Sequence, residues 1–208
     1  YDADGRMTEL TNARGYKTAY EYDRMAQLSK VIDALDGETT YTYDAVGNLT
    51  SETNEEGYTT SYTYDLLGQV TSITNPREGV TRAEYDGKGN ITKITHADGK
   101  SITYTYDAAN RLISYVDVEG YTWSFVYDPN GNIIAETDGN GNTTHYTYDG
   151  LNRQIGKVDA KGNGSSVEFD ADGRKVKVVD EEGAVTQYVY DDCNRVIKMV
   201  DALGYATE

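Results

Sequence analysis

The sequence predicts an all-β fold, in which tandem 21-residue β-hairpins form one long, twisted and coiled antiparallel sheet. Three observations lead to this prediction. A Tyr-Asp or Phe-Asp dipeptide recurs at a fixed interval of 21 residues through a chain of 208 residues. Each interval contains two short stretches rich in β-branched and aromatic residues. Each of these stretches ends at a turn signal rich in Asp, Asn and Gly.

The recurring dipeptide sets the repeat, and no insertion disturbs its spacing. Its ten occurrences begin at Tyr1, Tyr22, Tyr43, Tyr64, Tyr85, Tyr106, Tyr127, Tyr148, Phe169 and Tyr190. A fixed period predicts stacked copies of one supersecondary unit, so residues 1–208 are expected to be a single array of about ten units. Because the chain begins on a Tyr-Asp and stops within a unit, both ends are expected to be cuts through a longer array.

The first strand of each unit runs into the dipeptide. Thr39–Tyr43 reads TTYTY and Trp123–Tyr127 reads WSFVY, so aromatic residues alternate with small or polar ones. This pattern is typical of a half-buried strand. Since 20 of the 208 residues are tyrosine, phenol rings must supply much of the packing, and we expect them to stack into two ladders along the sheet.

The first turn follows the dipeptide and has the form Asp-x-x-Gly, as in Asp44–Gly47. Asp can accept hydrogen bonds from the turn's own backbone, and Gly reaches positive φ without strain. Asn, which also tolerates positive φ, replaces this glycine at Asn110, Asn152 and Asn194. Ala26 replaces it in one unit, and local strain is expected there.

The second strand, such as NITKI at Asn90–Ile94, has neighbouring apolar residues that interrupt alternation, and a β-bulge near its start would explain them. The strand ends in Asp or Asn, or once in His96, and a glycine three residues later predicts the second turn. In two units that glycine is displaced by one residue, to Gly37 and Gly79. Both connections are too short for a helical crossover, so neighbouring strands should be antiparallel. A parallel roll with one coil per unit is the alternative architecture.

The composition argues against several classes of protein. A net charge of −16 repels nucleic acid and anionic lipid surfaces, so no nucleic-acid partner is expected. No apolar run is long enough to span a bilayer, and no membrane insertion is expected. The single cysteine, Cys193, can form neither a disulfide framework nor a zinc site, and we interpret it as an ordinary turn residue.

No catalytic residue, cofactor-binding residue or metal ligand is predicted, and the chain is expected not to be an enzyme or to need a cofactor. His96 and His145 occupy different positions of their units, so they share no catalytic arrangement. Asp138–Asn142 reads DGNGN, which is typical of the first half of a calcium loop but lacks the distal glutamate. We expect these carboxylates to serve the turns, with a calcium-dependent adhesive roll as an alternative.

The segments YDADGRM, YDAVGNL, YDPNGNI and YDAANRL resemble the YD repeat of the Rhs family, and the resemblance covers all 208 residues. The family includes bacterial Rhs polymorphic toxins, wall-associated proteins, Tc toxin B and C components, and teneurins. The resemblance implies a hairpin strip that spirals into a hollow shell, and in toxin members this shell encloses a C-terminal toxic domain. DPNGN at Asp128–Asn132 lacks the Leu of the family's D-P-x-G-L autoproteolysis motif, so no protease function follows.

These observations predict a non-catalytic structural segment of an Rhs shell, secreted or at the bacterial cell surface, whose partner is its own C-terminal cargo or toxin domain. The alternative is a cell-surface module that binds a glycan or a protein. Four rings beside the second turns and the single tryptophan, Trp123, could contact sugar, although packing along the sheet is the simpler interpretation; the four are Tyr16, Tyr58, Tyr121 and Tyr205. Unpaired outer strands predict edge-to-edge self-association.

Overall fold

A computed structural model describes residues 1–207, and the predicted all-β fold of tandem hairpins is confirmed. The 20 strands form an antiparallel sheet, so the alternative of a parallel roll is wrong. The chain divides into two compact units, Tyr1–Thr103 and Tyr104–Glu208, which are described separately below.

The first compact unit, Tyr1–Thr103, contains nine complete strands and the start of a tenth. They are β1 (Glu9–Thr11), β2 (Lys17–Tyr22), β3 (Leu28–Ile32), β4 (Glu38–Tyr43), β5 (Leu49–Thr53), β6 (Thr59–Tyr64), β7 (Val70–Thr74), β8 (Val80–Tyr85), β9 (Ile91–Thr95) and β10 (Ser101–Tyr106). Each strand pairs antiparallel with the next strand in sequence. The result is a meander without crossovers, as short turns require.

The second compact unit, Tyr104–Glu208, begins within β10 and continues the same pattern. Its further strands are β11 (Leu112–Val116), β12 (Thr122–Tyr127), β13 (Ile133–Thr137), β14 (Thr143–Tyr148), β15 (Gln154–Val158), β16 (Gly164–Phe169), β17 (Lys175–Val179), β18 (Val185–Tyr190), β19 (Val196–Val200) and β20 (Ala206–Thr207). From β11 onward, each strand again pairs antiparallel with its successor. Strands that run into the dipeptide have even numbers throughout.

The predicted β-bulge lies at the start of the odd-numbered strands. In the β2–β3 hairpin, Glu21 pairs with Lys30 but Tyr22 pairs with Leu28, which leaves Ser29 without an opposite residue. The same register shift recurs in eight hairpins. The extra residue explains why apolar side chains occupy neighbouring positions there. The bulge prediction is therefore confirmed.

The two faces of each hairpin differ in chemistry. In the β4–β5 hairpin, Tyr43 pairs with Leu49 on one face, and Thr42 pairs with Ser51 on the other. None of residues 1–207 is fully buried, and most strand side chains are half-buried. Each compact unit is thus a single layer, with no second layer within the unit against its aromatic face. Stability must therefore come from contacts between neighbouring strands and turns instead of a closed core.

Positive φ falls where the turn signals predict it, with one correction. Ala26 adopts φ 64°, which bears out the strained position expected there. The displaced glycines do not displace the turn: Asp36 (φ 62°) and Glu78 (φ 63°) take the left-handed position, and Gly37 and Gly79 do not. The flanking strands fix the length of the turn, so the fourth turn residue becomes left-handed whatever its side chain.

Candidate functional site

The first turn is held by its own aspartate. The Asp44 amide donates to the Asn48 carbonyl (2.9 Å), and the Gly47 amide donates to the Asp44 carbonyl (3.2 Å). Carboxylate Oδ1 of Asp44 accepts bonds from the amides of Val46 (3.0 Å) and Asn48 (2.9 Å). The Asn48 side chain donates to Oδ2 (2.9 Å) and is the main reason that the pKa of Asp44 is lowered. The turn thus satisfies its backbone without a partner.

The second turn uses the same arrangement, which the sequence did not reveal as a copy of the first. Oδ1 of Asn54 accepts bonds from the amides of Glu56 (3.2 Å) and Tyr58 (2.9 Å). His96 lacks this oxygen, and Asp98 supplies a substitute by accepting from the Lys100 amide (3.0 Å). His96 is therefore an ordinary turn residue.

Successive hairpins are joined by the dipeptide tyrosine. Its hydroxyl donates to the carbonyl fifteen residues earlier, at the bulge of the preceding unit, over 2.8 to 3.0 Å. The pairs are Tyr22–Met7, Tyr43–Leu28, Tyr64–Leu49, Tyr85–Val70, Tyr127–Leu112, Tyr148–Ile133 and Tyr190–Lys175. Partial desolvation raises the pKa of Tyr43 and Tyr64. We refer to each such bond as a tyrosine tie.

The expected ladder of stacked dipeptide rings is wrong at the tied positions. Equivalent residues of successive units lie two strands apart, which is about 10 Å in a β-sheet. Stacked or tilted rings have centroids within about 7 Å. The hydroxyl therefore bridges a gap that the ring itself cannot close.

An arginine side chain fills this gap in four units. Arg111 donates through Nε to Oδ2 of Asp107 (2.7 Å) and through Nη1 to the carbonyl of Asp128 (3.1 Å). Its guanidinium carbon lies 4.6 Å from the ring centroid of Tyr127. One side chain thus contacts its own turn, the next ring and the next turn, and we refer to this set of contacts as the arginine bridge. Equivalent guanidinium–ring contacts are Arg6–Tyr22, Arg153–Phe169 and Arg174–Tyr190. Sequence reasoning missed these contacts, although an arginine directly after the Gly or Asn that closes the first turn was their signal.

A cluster of ring-to-ring contacts surrounds Tyr115 in the second compact unit. Tyr115 lies parallel to Trp123, with centroids 5.8 Å apart and an interplanar angle of 4°. It also contacts Phe125 (6.4 Å) and Tyr104 (6.2 Å). Trp123 is the only tryptophan of the chain. This cluster is where the repeat departs furthest from its usual Thr and Tyr pattern.

The remaining candidate residues are placed in turns or on a strand. Asp138 of the DGNGN segment accepts from the amides of Asn140 and Asn142, both at 2.9 Å, as in the other turns that begin with Asp or Asn. Residues 1–207 contain no group of three metal-ligating side chains. Cys193 is exposed, with its amide bonded to Asp191 (2.9 Å), and His145 lies in β14. Residues 1–207 also contain no helix that could cross a bilayer.

The comparisons with known proteins agree with the repeat geometry. The family model described as "RHS Repeat" matches residues 1–38, 27–57, 43–80, 85–122, 127–163 and 169–206. The chain belongs to the RHS repeat family. No curated protein matches it. The tyrosine ties and Asp turns described above are thus features of an RHS array.

Solved structures with the same fold are Tc toxin assemblies. One is the Tc holotoxin pore of Photorhabdus luminescens, with 21% identity and a TM-score of 0.61 over 97% of this chain. Another, the TcdB2-TccC3-Cdc42 complex, gives 21% identity and a TM-score of 0.62 over 97% of this chain. A TcdB2-TccC3 structure gives 16% and 0.52. This chain covers only 13–14% of those chains, so the likeness concerns the fold of the RHS segment.

Proposed function

We propose that this chain is a non-catalytic wall segment, within a longer RHS array, of a shell that encapsulates or presents a toxin or another polypeptide. The observation that carries the proposal is the single-layer sheet. Each hairpin turns Tyr and Leu to one face and Thr and Ser to the other, as in β4–β5. A wall needs such a layer, because its two sides meet different surroundings.

The contacts between successive hairpins also fit the role of a wall. Tyrosine ties at seven junctions and guanidinium–ring contacts at four connect successive repeats without requiring a core. Satisfied turns at both edges leave few polar groups that would recruit other chains. We propose a secreted or surface location, a cargo domain of the same polypeptide as partner, and no activity of this segment. Edge-to-edge self-association remains a prediction that light scattering at millimolar concentration tests.

Protease protection tests the shell proposal. The natural polypeptide that carries this segment is digested with a broad-specificity protease, before and after the array is opened by denaturant. The proposal expects one polypeptide segment to resist digestion only while the array is folded. If every region outside the repeats is cleaved at the same rate in both states, the array encloses nothing.

The alternative, a surface module that binds a glycan or a protein, has the aromatic cluster around Trp123 in its favour. Exposed rings are common in sugar-binding surfaces, and Tyr121 beside this cluster is exposed. A glycan array probed with this chain, with Trp123→Thr as the control, separates the two functions. Binding that the substitution abolishes would favour the alternative.

A further inference from the structure

A groove on the aromatic face of the second compact unit is lined by the single tryptophan of the chain and by several acidic residues. It runs across β12 to β15 beside the second turns, and Trp123 forms part of its lining. Acidic residues from two successive turns and one strand line the rest: Glu136, Asp138 and Asp159. We name it the Trp123 groove. It lies within one unit and does not depend on the proposed shell function.

The indole ring is held with one face available. Its other face stacks on Tyr115, at 5.8 Å and 4°. The turn after β13 approaches the edge of the ring because residue 139 is glycine: a Cβ there would lie 3.2 Å from Nε1 of Trp123 and 2.7 Å from Cβ of Tyr121. Contacts on two sides therefore fix the ring, and its remaining face borders the groove.

Three carboxylates line the groove together with this ring: Glu136, Asp138 and Asp159. Asp138 and Asp159 accept hydrogen bonds from their own turns, including those from Asn142 (3.0 Å) and Asn163 (2.9 Å). These bonds lower the pKa of both carboxyls, so they stay ionised at neutral pH. Glu136 accepts a bond from the Tyr146 hydroxyl (3.2 Å).

No ion pair within residues 1–207 involves any of these three carboxylates. One lysine, Lys161, also lines the groove, so three negative charges face one positive charge. An aromatic face surrounded by ionised carboxylates attracts a cation through the ring quadrupole and through Coulomb attraction.

We propose that the Trp123 groove binds an arginine side chain of a polypeptide, with the guanidinium stacked on Trp123 and hydrogen-bonded to the surrounding carboxylates. A guanidinium suits this lining better than an ammonium because it is planar, weakly hydrated and carries five donors. The same molecule already uses the contact elsewhere, since Arg153 lies 4.2 Å from the centroid of Phe169. A neutral sugar would stack equally well but would gain nothing from the charge.

The single tryptophan gives a direct test. The chain is titrated with an acetylated, amidated Gly-Gly-Arg-Gly-Gly peptide while tryptophan fluorescence is recorded, and with the same peptide carrying citrulline, a neutral analogue of similar shape. We expect a saturable change with the arginine peptide and at least about fivefold weaker binding of the citrulline peptide. Raised salt should weaken the arginine peptide selectively.

Matched variants locate the site. Glu136→Gln should weaken the arginine peptide by at least about threefold, whereas Glu52→Gln should leave binding unchanged, because Glu52 holds the same repeat position but has Thr39 where Glu136 has Trp123. Trp123→Thr, followed by calorimetry, should abolish binding. Equal binding of the two peptides, or no response to either, overturns the proposal. So does saturation by chitooligosaccharides in the absence of a peptide response, which would assign the groove to sugar.

Discussion

The hydroxyl of Tyr43 donates a hydrogen bond of 2.9 Å to the main-chain carbonyl of Leu28, fifteen residues earlier and at the bulge of the preceding hairpin. Strands β3 and β4 pair only from Lys30 to Ile32, so they separate before they reach this bulge. The phenol spans the separation and donates to the Leu28 carbonyl. The bond thus adds to the three residue pairs through which the facing strands of the two hairpins are joined.

Loss of one tie should be measurable in the free energy of unfolding. Tyr43→Phe removes the hydroxyl and leaves the Leu28 carbonyl without this donor, so we expect destabilisation of about 1 kcal/mol in urea unfolding. Tyr16→Phe is the control, since Tyr16 is exposed and its hydroxyl makes no tie. Equal effects of the two substitutions would contradict a structural role for the tie.

One position of the chain allows the opposite substitution, which adds the tyrosine hydroxyl instead of removing it. Phe169 holds the dipeptide position without a hydroxyl, and its ring lies 4.2 Å from the guanidinium carbon of Arg153. Phe169→Tyr should create a tie to the carbonyl of Gln154, fifteen residues earlier, and raise the free energy of unfolding by about 0.5–1 kcal/mol. An unchanged or lower midpoint of urea unfolding would mean that the carbonyl is already satisfied.

Replacing the arginine of the bridge by lysine should destabilise the fold. Arg111→Lys keeps the charge near Asp107 but loses the planar contact with Tyr127 and the fixed fork of donors. We expect a loss of about 0.5–1 kcal/mol in thermal or urea unfolding. Arg14→Lys, in a second turn where only the backbone amide is bonded to Asn12, should change little. A similar loss at both positions would point to a general effect of arginine.

The left-handed alanine offers a stabilising substitution. Ala26 at φ 64° carries a Cβ that opposes the turn geometry. Ala26→Gly removes this strain, and after the entropy cost of glycine we expect a gain of about 0.5–1 kcal/mol. Ala45→Gly, in the same turn of the next unit but without positive φ, should be neutral or destabilising. Differential scanning calorimetry of both variants gives the comparison.

Acid should unfold the array by protonating its turns. Hydrogen bonds lower the folded-state pKa of the turn carboxyls, led by the Asn side chain at Asp44, Asp86 and Asp128 and by the backbone amide at Asp149 and Asp170. A depressed pKa contributes stability that is complete above the ordinary value of 3.8 and is lost as the pH falls through the folded-state values.

The midpoint of urea unfolding should therefore fall steeply below about pH 4. Asp44→Asn keeps the Oδ1 acceptor but cannot be protonated in this range, so it should be less stable than the parent at neutral pH and should lose less stability in acid. A midpoint that stays constant from pH 6 to about pH 2.5 would contradict this origin of stability.

The sequence determined the repeat and its local structure. The 21-residue period placed the strands, and the Asp-x-x-Gly and Asn-x-x-Gly signals placed the turns. The interrupted alternation located the bulges, since a bulge is a property of one strand pair. These features depend on residues within a few positions of each other, where backbone preference and side-chain alternation act directly.

The tertiary structure decided what joins one repeat to the next. The Tyr43–Leu28 tie, the Arg111 bridge and the lining of the Trp123 groove each connect residues that are distant in sequence or two strands apart in the sheet. Their existence depends on the spacing of about 4.8 Å between strands and on where paired strands separate. No local pattern encodes that separation, so the sequence predicted stacked rings where the structure has hydrogen bonds from tyrosine hydroxyls. The acidic lining around Trp123 likewise depends on the register of the strands, which brings residues of different turns together.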